Sequence, residues 1–281
     1  MCWKGSMEKK MCKKVFLNSI FARVWDKKDP FREAFSIAGE DFRKVKARRT
    51  SRFELEGKGY FIKLHSGIGL REYLKDVFQG KKPVTGAGQE FAALQLLKEK
   101  NIPTMKVAAF GRKGGFAPYE KSFLVTDELC DVISLEDLCK ETGGLPDRSL
   151  RRKIVPVLGD TAGRMHRSGI NHRDCYICHF LLDRKKEKEG EIVLYIIDLH
   201  RAQIRKEVPQ RYLVKDLAGL YFSAMQYMDL EKRDVYYFLK AYYGLPLHEI
   251  FVKYGKILKK VHDAASAVYR KDMKKAMPEL F

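Results

Sequence analysis

The chain has 281 residues, of which 45% are apolar and 12% aromatic. These values are typical of a globular protein with a substantial core and exclude a chain that is disordered throughout. Lysine and arginine number 55 against 36 acidic residues, giving a formal net charge of +19, which favours an anionic partner: nucleic acid, an anionic membrane surface or a phosphorylated substrate. No nucleic-acid-binding motif accompanies the charge, and the longest strongly apolar run, IVLYII at 192–197, is only strand-sized.

The first half of the chain predicts a small antiparallel sheet with one main helix. Residues 1–14 are expected to be an extension without a recognisable element, and no signal peptide is expected because the apolar part is short and no cleavage site follows it. Residues 42–64 alternate in the manner of a β meander, and 86–100 have helical spacing. TMKVAAFGRKG and KSFLVTDEL predict two further strands. We therefore expect a first lobe over 15–126.

The second half is expected to be mainly helical. SLRRKIVPVLGDTAGRMHRSG predicts a helix that Pro156 must kink or start. FLLDRKKEKEGEIVLYIIDL predicts a hairpin, and VKDLAGLYFSAMQYM, DVYYFLKAYYG and 249–277 predict three more helices. The predicted fold class is thus α+β and bilobal, with a second lobe over 127–281.

The stretch NHRDCYICHF, at 171–180, fits three different chemistries. Cys175, Cys178 and His179 form the C-x-x-C-H pattern of a c-type haem tether, and the two cysteines alone fit zinc binding or thiol redox chemistry. Cys130 and Cys139 are nine residues apart and supply no second close pair for zinc. The contexts that haem attachment and redox chemistry require are also missing. The third possibility is His-Arg-Asp, the core of a kinase catalytic loop.

Phosphoryl transfer needs positioned charges rather than covalent chemistry, and the chain offers them in the right order. Lys63 in the strand YFIKL would bind phosphates, and Glu90 on the next helix would hold that lysine. Asp174 of His-Arg-Asp would be the base, because RMHRSGINHRD resembles the corresponding segment of protein kinases. Asp198 follows an apolar strand, as the metal-binding aspartate of kinases does, and Asp216 resembles the aspartate that braces the catalytic loop. This order predicts a protein-kinase-like fold that uses ATP and Mg²⁺.

Three departures from the kinase pattern define the remaining expectations. No glycine-rich loop is present, so Arg48, Arg49, Thr50 and Ser51 in a turn of KARRTSR are candidates to bind phosphate through side chains, or are a basic surface turn. His179 replaces the usual asparagine ligand; because Mg²⁺ prefers oxygen, His179 is expected to act through water beside Asp198. Only 17 residues separate Asp198 from Asp216, which favours a small or sugar acceptor over a peptide.

The backbone near Asp127 and Leu129, in the hinge-like strand FLVTDEL, is the candidate adenine-binding segment. Chemistry alone leaves the acceptor open.

The chain resembles the WaaP/RfaP family of lipopolysaccharide core heptose(I) kinases. The resemblance rests on WDKKDPF, RRTSRFELEGKGYFIKLHSGIG, PVTGAGQE, NHRDCYICHFLL, IDLHRAQ and KDLAGLYFSA. It implies transfer of the ATP γ-phosphate to the 4-hydroxyl of the first heptose of the lipopolysaccharide inner core, with Asp174 as the base.

The resemblance also implies a cytoplasmic enzyme, peripheral to the anionic inner-membrane surface, and an acidic acyl carrier protein as a partner. Two alternatives remain at this point: a kinase of the same fold that acts on 3-deoxy-manno-octulosonic acid or on protein Tyr/Ser, and a basic non-catalytic binding module.

Overall fold

The computed structural model describes residues 13–45, 47–80, 83–145 and 148–276. The strands in chain order are β1 Lys13–Leu17, β2 Glu40–Val45, β3 Arg48–Leu55, β4 Lys58–His65, β5 Val107–Lys113, β6 Lys121–Asp127, β7 Val132–Ser134, β8 Ile170–Asn171, β9 Phe180–Asp183, β10 Leu194–Ile196 and β11 Gln203–Ile204. The helices are α1 Ser19–Val24, α2 Pro30–Ser36, α3 Leu70–Phe78, α4 Gly88–Glu99, α5 Leu135–Thr142, α6 Arg148–Arg167, α7 Arg184–Lys188, α8 Gln210–Tyr227, α9 Lys232–Tyr243 and α10 Leu247–Ala276.

Contacts between residues divide the chain into two compact units. The first comprises 1–91 and 106–128, and the second comprises 92–105 and 129–281. The lobe boundary predicted after residue 126 stays a prediction, and the structure groups 92–105, which includes most of α4, with the second unit. No helix in the described ranges is both long and apolar enough to cross a bilayer.

The first unit contains a six-stranded antiparallel sheet in the order β1-β5-β6-β4-β3-β2. The predicted meander, the two later strands and the helix at 86–100 are confirmed as β2–β4, β5, β6 and α4. The predicted extension over 1–14 was wrong for Lys13 and Lys14, which belong to β1 and pair with β5; residues 1–12 lie outside the described residues. Alternating strand sequences with short turns explain why the meander could be predicted.

The core of the first unit is aromatic and is built by the segment that contains WDKKDPF. Phe21, Trp25 and Phe31 are buried against the sheet, and Phe21 meets Tyr60 edge to face at 5.2 Å between ring centroids. Asp29 caps α2 by accepting hydrogen bonds from the next N–H groups, with Pro30 at the first helical position. This motif therefore has a structural role, since it starts α2 and fills the core beneath β4.

The second unit is mainly helical, as predicted. α6 begins at Arg148, so Pro156 lies inside the helix instead of starting it. Gly159 and Gly163 let α6 approach α9 closely, because a Cβ at either position would lie 2.5 Å from a carbonyl oxygen of α9. The predicted hairpin is confirmed as β9 and β10, with α7 in its loop. The last three predicted helices are α8, α9 and α10; the predicted end of the last one, residue 277, lies outside the described residues.

Candidate active site

In the first unit, Lys63 and Glu90 form an ion pair. Lys63 Nζ lies 2.7 Å from Glu90 Oε1, and the Glu90 side chain is completely buried whereas that of Lys63 is 19% exposed. β4 directs the lysine, and Glu90 stands in the first turn of α4. The structure thus brings together the two residues that the sequence pattern paired, and the buried carboxylate holds the ammonium group in one place.

The basic segment 48–51 was expected in a turn, and that expectation was wrong. Arg48 to Ser51 belong to β3, while the turn of this hairpin is formed by Glu56 and Gly57, both in the left-handed region. Alternation along RRTSRFEL, in which Ser51 and Phe53 are buried, explains the strand.

Two of the proposed phosphate-binding residues have structural partners instead. Ser51 is fully buried, and its Oγ donates to Asp41 Oδ1 at 2.6 Å. Arg49 lies 3.6 Å from the same carboxylate and donates to the carbonyl of Ile37. Thr50 stands directly opposite Lys63 in the β3–β4 register, so these two side chains share a face of the sheet. Of the four candidates, Thr50 is therefore the one placed directly opposite the lysine.

The candidate adenine-binding residues fall in different units. Asp127 ends β6, its carboxylate lies 2.6 Å from Lys58 Nζ, and its N–H donates to the carbonyl of Lys106 at 2.9 Å. The N–H of Asp127 is thus already used within the fold. Leu129 belongs to the second unit and is half-buried.

In the second unit, Asp216 braces the loop that carries Asp174. Its carboxylate accepts hydrogen bonds from the N–H groups of His172, at 2.6 Å, and Arg173, at 2.9 Å. Asp216 is 1% exposed, so these are charge-assisted bonds in a site away from water. Arg173 has φ of +74°, which a residue with a side chain rarely adopts. The buried carboxylate stabilises this strained turn, as the sequence comparison with kinases implied for Asp216.

Asp174 itself is held by a residue that the sequence reasoning missed. Arg201 Nη1 lies 2.5 Å from Asp174 Oδ1, and the Asp174 side chain is 19% exposed. Arg201 stands in IDLHRAQ, only three residues after Asp198, so its nearness to that candidate was the signal that could have identified it. The pairing fixes one carboxylate oxygen of Asp174 and leaves Oδ2 as the oxygen that can accept a proton.

His179 and Asp198, the candidate metal residues, lie close but are not hydrogen-bonded. His179 Nε2 is 3.8 Å from Asp198 Oδ2. Its Nδ1 pairs with the carbonyl oxygen of Asp174 at 2.7 Å, so Nδ1 donates the hydrogen there. His200, also missed by sequence reasoning, lies 2.8 Å from Asp198 Oδ1 through its Nδ1. Among the described residues, no three acidic, histidine or cysteine side chains are grouped to hold a metal ion.

His172 supports this arrangement from inside the protein. Its Nε2 lies 2.9 Å from the carbonyl oxygen of Ile197, and its ring stacks on that of His179 with 5.3 Å between centroids and 6° between planes. Burial, reinforced by repulsion from His179, lowers the pKa of His172 to about 4. The ring is therefore neutral at physiological pH and gives His179 a flat, uncharged platform.

The two cysteines of the loop behave as small apolar side chains. Cys175 is 2% exposed, and burial raises its thiol pKa well above the ordinary value. Burial, followed by the nearby carboxylate of Glu136, raises the pKa of the Cys178 thiol to about 11. Metal binding and thiol exchange both need the thiolate, so this environment disfavours the zinc and redox alternatives of C-x-x-C.

Comparisons with known proteins show the family of the chain. Residues 35–242 match the lipopolysaccharide kinase (Kdo/WaaP) family. The chain belongs to that family. The lipopolysaccharide core heptose(I) kinase WaaP of Escherichia coli is 41% identical over 265 residues, which cover 94% of this chain and 100% of that protein. The Pseudomonas aeruginosa protein of the same name is 40% identical over 260 residues, covering 92% of this chain and 97% of that one.

A solved structure of WaaP in complex with acyl carrier protein has the same fold. It is 37% identical, with a TM-score of 0.79, and the match covers 91% of this chain and 99% of that one. The family, the α+β kinase-like fold and the phosphotransferase class expected from the sequence are therefore confirmed, and membership of a kinase family implies the use of ATP.

Proposed function

We propose that this Kdo/WaaP family member is a lipopolysaccharide core heptose(I) kinase that transfers the γ-phosphate of ATP to the 4-hydroxyl of the first heptose of the inner core. The observation that carries the proposal is its similarity to proteins named heptose(I) kinase, which is at least 40% identity along more than nine tenths of the chain. A local resemblance limited to the catalytic loop would support only a kinase of unknown acceptor.

The residues of each unit have roles that suit phosphoryl transfer. Asp174, with Oδ1 held by Arg201, would accept the proton of the acceptor hydroxyl at Oδ2. Lys63, fixed by Glu90, would bind phosphate oxygens through its ammonium group, with Thr50 beside it on the same face of the sheet. Asp127 and Leu129 would offer main-chain groups to the adenine, and Asp127 would use its carbonyl because its N–H is already bonded.

A magnesium ion fits the residues around Asp198. Mg²⁺ is commonly bound by one or two carboxylates, with waters and substrate phosphates completing its shell. That the part of the chain the structure describes has no larger acidic cluster is therefore compatible with its use. Asp198 would hold the ion and His179 would contact it through water. The bound ion would neutralise charge on the phosphates. His200 would orient Asp198 through their hydrogen bond, and the His172 ring would orient His179 by stacking.

The partners follow from the acceptor and the charge. Inner-core lipopolysaccharide is a membrane-anchored polyanion, and a net charge of +19 would draw the protein to it and to an anionic bilayer. We place the enzyme on the cytoplasmic face of the inner membrane as a peripheral protein. An acyl carrier protein is a further proposed partner, supported by the solved complex of a 37% identical WaaP and by α10, in which eight basic residues outnumber three acidic ones.

Purified protein with ATP and magnesium tests the acceptor directly. We expect label to pass to core lipopolysaccharide that contains heptose, with a rate at sub-saturating acceptor that falls steeply as salt rises, because the Debye length is only ~8 Å at physiological ionic strength. A core that lacks heptose but keeps its acidic sugars should take no label. Equal labelling of that core would favour the 3-deoxy-manno-octulosonic acid alternative, labelling of proteins alone would favour a protein kinase, and no labelling at all would favour the binding module.

A further inference from the structure

Helix α3 exposes an apolar face that a globular protein would normally bury. Leu70, Leu74, Val77 and Phe78 are spaced i, i+4, i+7 and i+8, which places them on one side of the helix. Their exposed fractions are 41%, 41%, 45% and 85%. Arg71 and Lys75 lie outside this row of apolar residues. The helix is therefore amphipathic, and its apolar side is exposed.

A second segment of the first unit adds two exposed aromatic rings beside the start of α3. Phe116 is 54% exposed and Tyr119 is 59% exposed, and their ring centroids lie 5.9 Å apart. The N–H of Gly69 donates to the carbonyl of Pro118 at 2.9 Å, which joins the two segments. Gly67 has φ of +85°, and a Cβ there would come within 2.9 Å of the same carbonyl, so this close approach needs glycine.

We name these two segments together the α3 patch; its six members are Leu70, Leu74, Val77, Phe78, Phe116 and Tyr119.

The charges around the α3 patch indicate what covers it. Within 70–80 and 112–121 the sequence has five lysines and arginines against three acidic residues. One of the acidic residues, Glu120, is buried and lies 3.3 Å from Arg112. Leucine, phenylalanine and tyrosine bordered by basic residues are typical of segments that lie in a membrane interface. A protein partner is the weaker alternative, because lysine is depleted at protein–protein interfaces.

We propose that the α3 patch is the membrane anchor of this protein, entering the interfacial layer of an anionic bilayer with its apolar side chains while the neighbouring basic residues meet the lipid headgroups. The proposal names the surface behind the peripheral membrane location proposed above. It rests on the proposed function only because the proposed acceptor is anchored in a membrane. Binding to lipid requires neither ATP nor acceptor, so it is measured separately from kinase activity.

A tryptophan at the most exposed position reports insertion directly. The full-length variant Phe78→Trp is mixed with vesicles of equal parts phosphatidylglycerol and phosphatidylcholine, without nucleotide. We expect a blue shift of the tryptophan emission, because the indole enters an apolar layer. Val252→Trp on α10 is the matched control, since Val252 is 88% exposed in the other unit, and we expect no shift from it. An absent shift in Phe78→Trp, or an equal shift in Val252→Trp, would overturn the proposal.

Charge substitution gives a second and independent readout. Leu74→Glu/Phe78→Glu should weaken sedimentation with the same vesicles about tenfold or more, because two large apolar side chains no longer enter the bilayer and two negative charges face the lipid. Val252→Glu should stay within about twofold of the wild type, since Val252 lies in the other unit and is not part of the α3 patch. The unfolding temperature of each variant shows whether it is folded. If the double variant is misfolded, the emission shift of Phe78→Trp alone tests the proposal. Undiminished binding of a folded double variant, or a wild type that ignores anionic vesicles, would contradict the assignment even if the kinase is fully active.

Discussion

Removal of the lysine from the Lys63–Glu90 pair should destabilise the first unit and stop phosphoryl transfer for separate reasons. Lys63→Met leaves the Glu90 carboxylate completely buried with no charged partner. Glu90 Oε2 already has no hydrogen-bond partner among the described residues, so little remains near it to solvate the charge. Loss of one partner of a buried ion pair typically costs ~3–5 kcal/mol, because the other charge is left without compensation.

The structure provides both a rescue and a matched control for that variant. Lys63→Met/Glu90→Met removes both charges, and we expect it to recover ~3–5 kcal/mol relative to Lys63→Met, because apolar replacement of a buried pair is often neutral relative to the wild type. Lys58→Met, in the same strand, breaks a pair with a similar distance, 2.6 Å, but Lys58 is 46% exposed. That substitution should cost ~1 kcal/mol or less.

The assay is urea unfolding with kinase activity measured on the same preparations. The double variant should be folded and yet inactive, since its stability is restored without the ammonium group that binds phosphate. If Lys63→Met costs no more than Lys58→Met, or if the double variant is no more stable than Lys63→Met, the buried pair is not coupled as described. A double variant that keeps near-normal turnover would show that Lys63 has no part in catalysis.

Three further predictions concern the second unit. Asp174→Asn should lower kcat by ~10²–10⁴ and leave urea unfolding unchanged; near-normal turnover would exclude Asp174 as the base. Arg201→Ala should lower kcat roughly 10- to 100-fold with an unchanged KM for ATP, because Asp174 loses its orientation, and Arg201→Lys should recover part of the loss; an effect on KM alone would refute the positioning role. Cys175 and Cys178 should resist a thiol reagent at pH 8 while the exposed Cys130 reacts, since a thiol with a pKa of about 11 is roughly one part in a thousand thiolate at that pH. Labelling of Cys178 as fast as Cys130, or stoichiometric zinc in the purified protein, would contradict that account.

The sheet and the long helices could be predicted because their signals are local. Alternation along β3 and β4 and the helical spacing of Phe91, Leu94 and Leu97 report which face is buried, and that requires no knowledge of distant partners. The helices α1, α2 and α3 were not predicted because they are short. They are six to nine residues long, too short for a periodic pattern to separate them from loops.

Part of the candidate site could be predicted because the order of elements along the chain pairs its residues. The other contacts depend on the three-dimensional fold and could not be predicted. Lys63 and Glu90 are 27 residues apart, and their pairing follows from the order of strand and helix. Arg201 and His200 are not part of the kinase pattern, so their contacts with Asp174 and Asp198 appear only in three dimensions. The expectation for the basic segment 48–51 was wrong because it came from the place of the phosphate-binding turn in the kinase pattern, whereas the alternation that buries Ser51 and Phe53 is that of a strand.

The measurement that tests the central claim most directly is mass spectrometry of the core oligosaccharide from cells that lack this protein. Complementation with the wild type should restore one phosphate group on the first heptose, at its 4-hydroxyl, and complementation with Asp174→Asn should not. A core that keeps that phosphate in the deletion strain, or regains it with Asp174→Asn, would contradict the account. Loss of phosphate from a different sugar would contradict the heptose assignment while leaving the kinase itself in place.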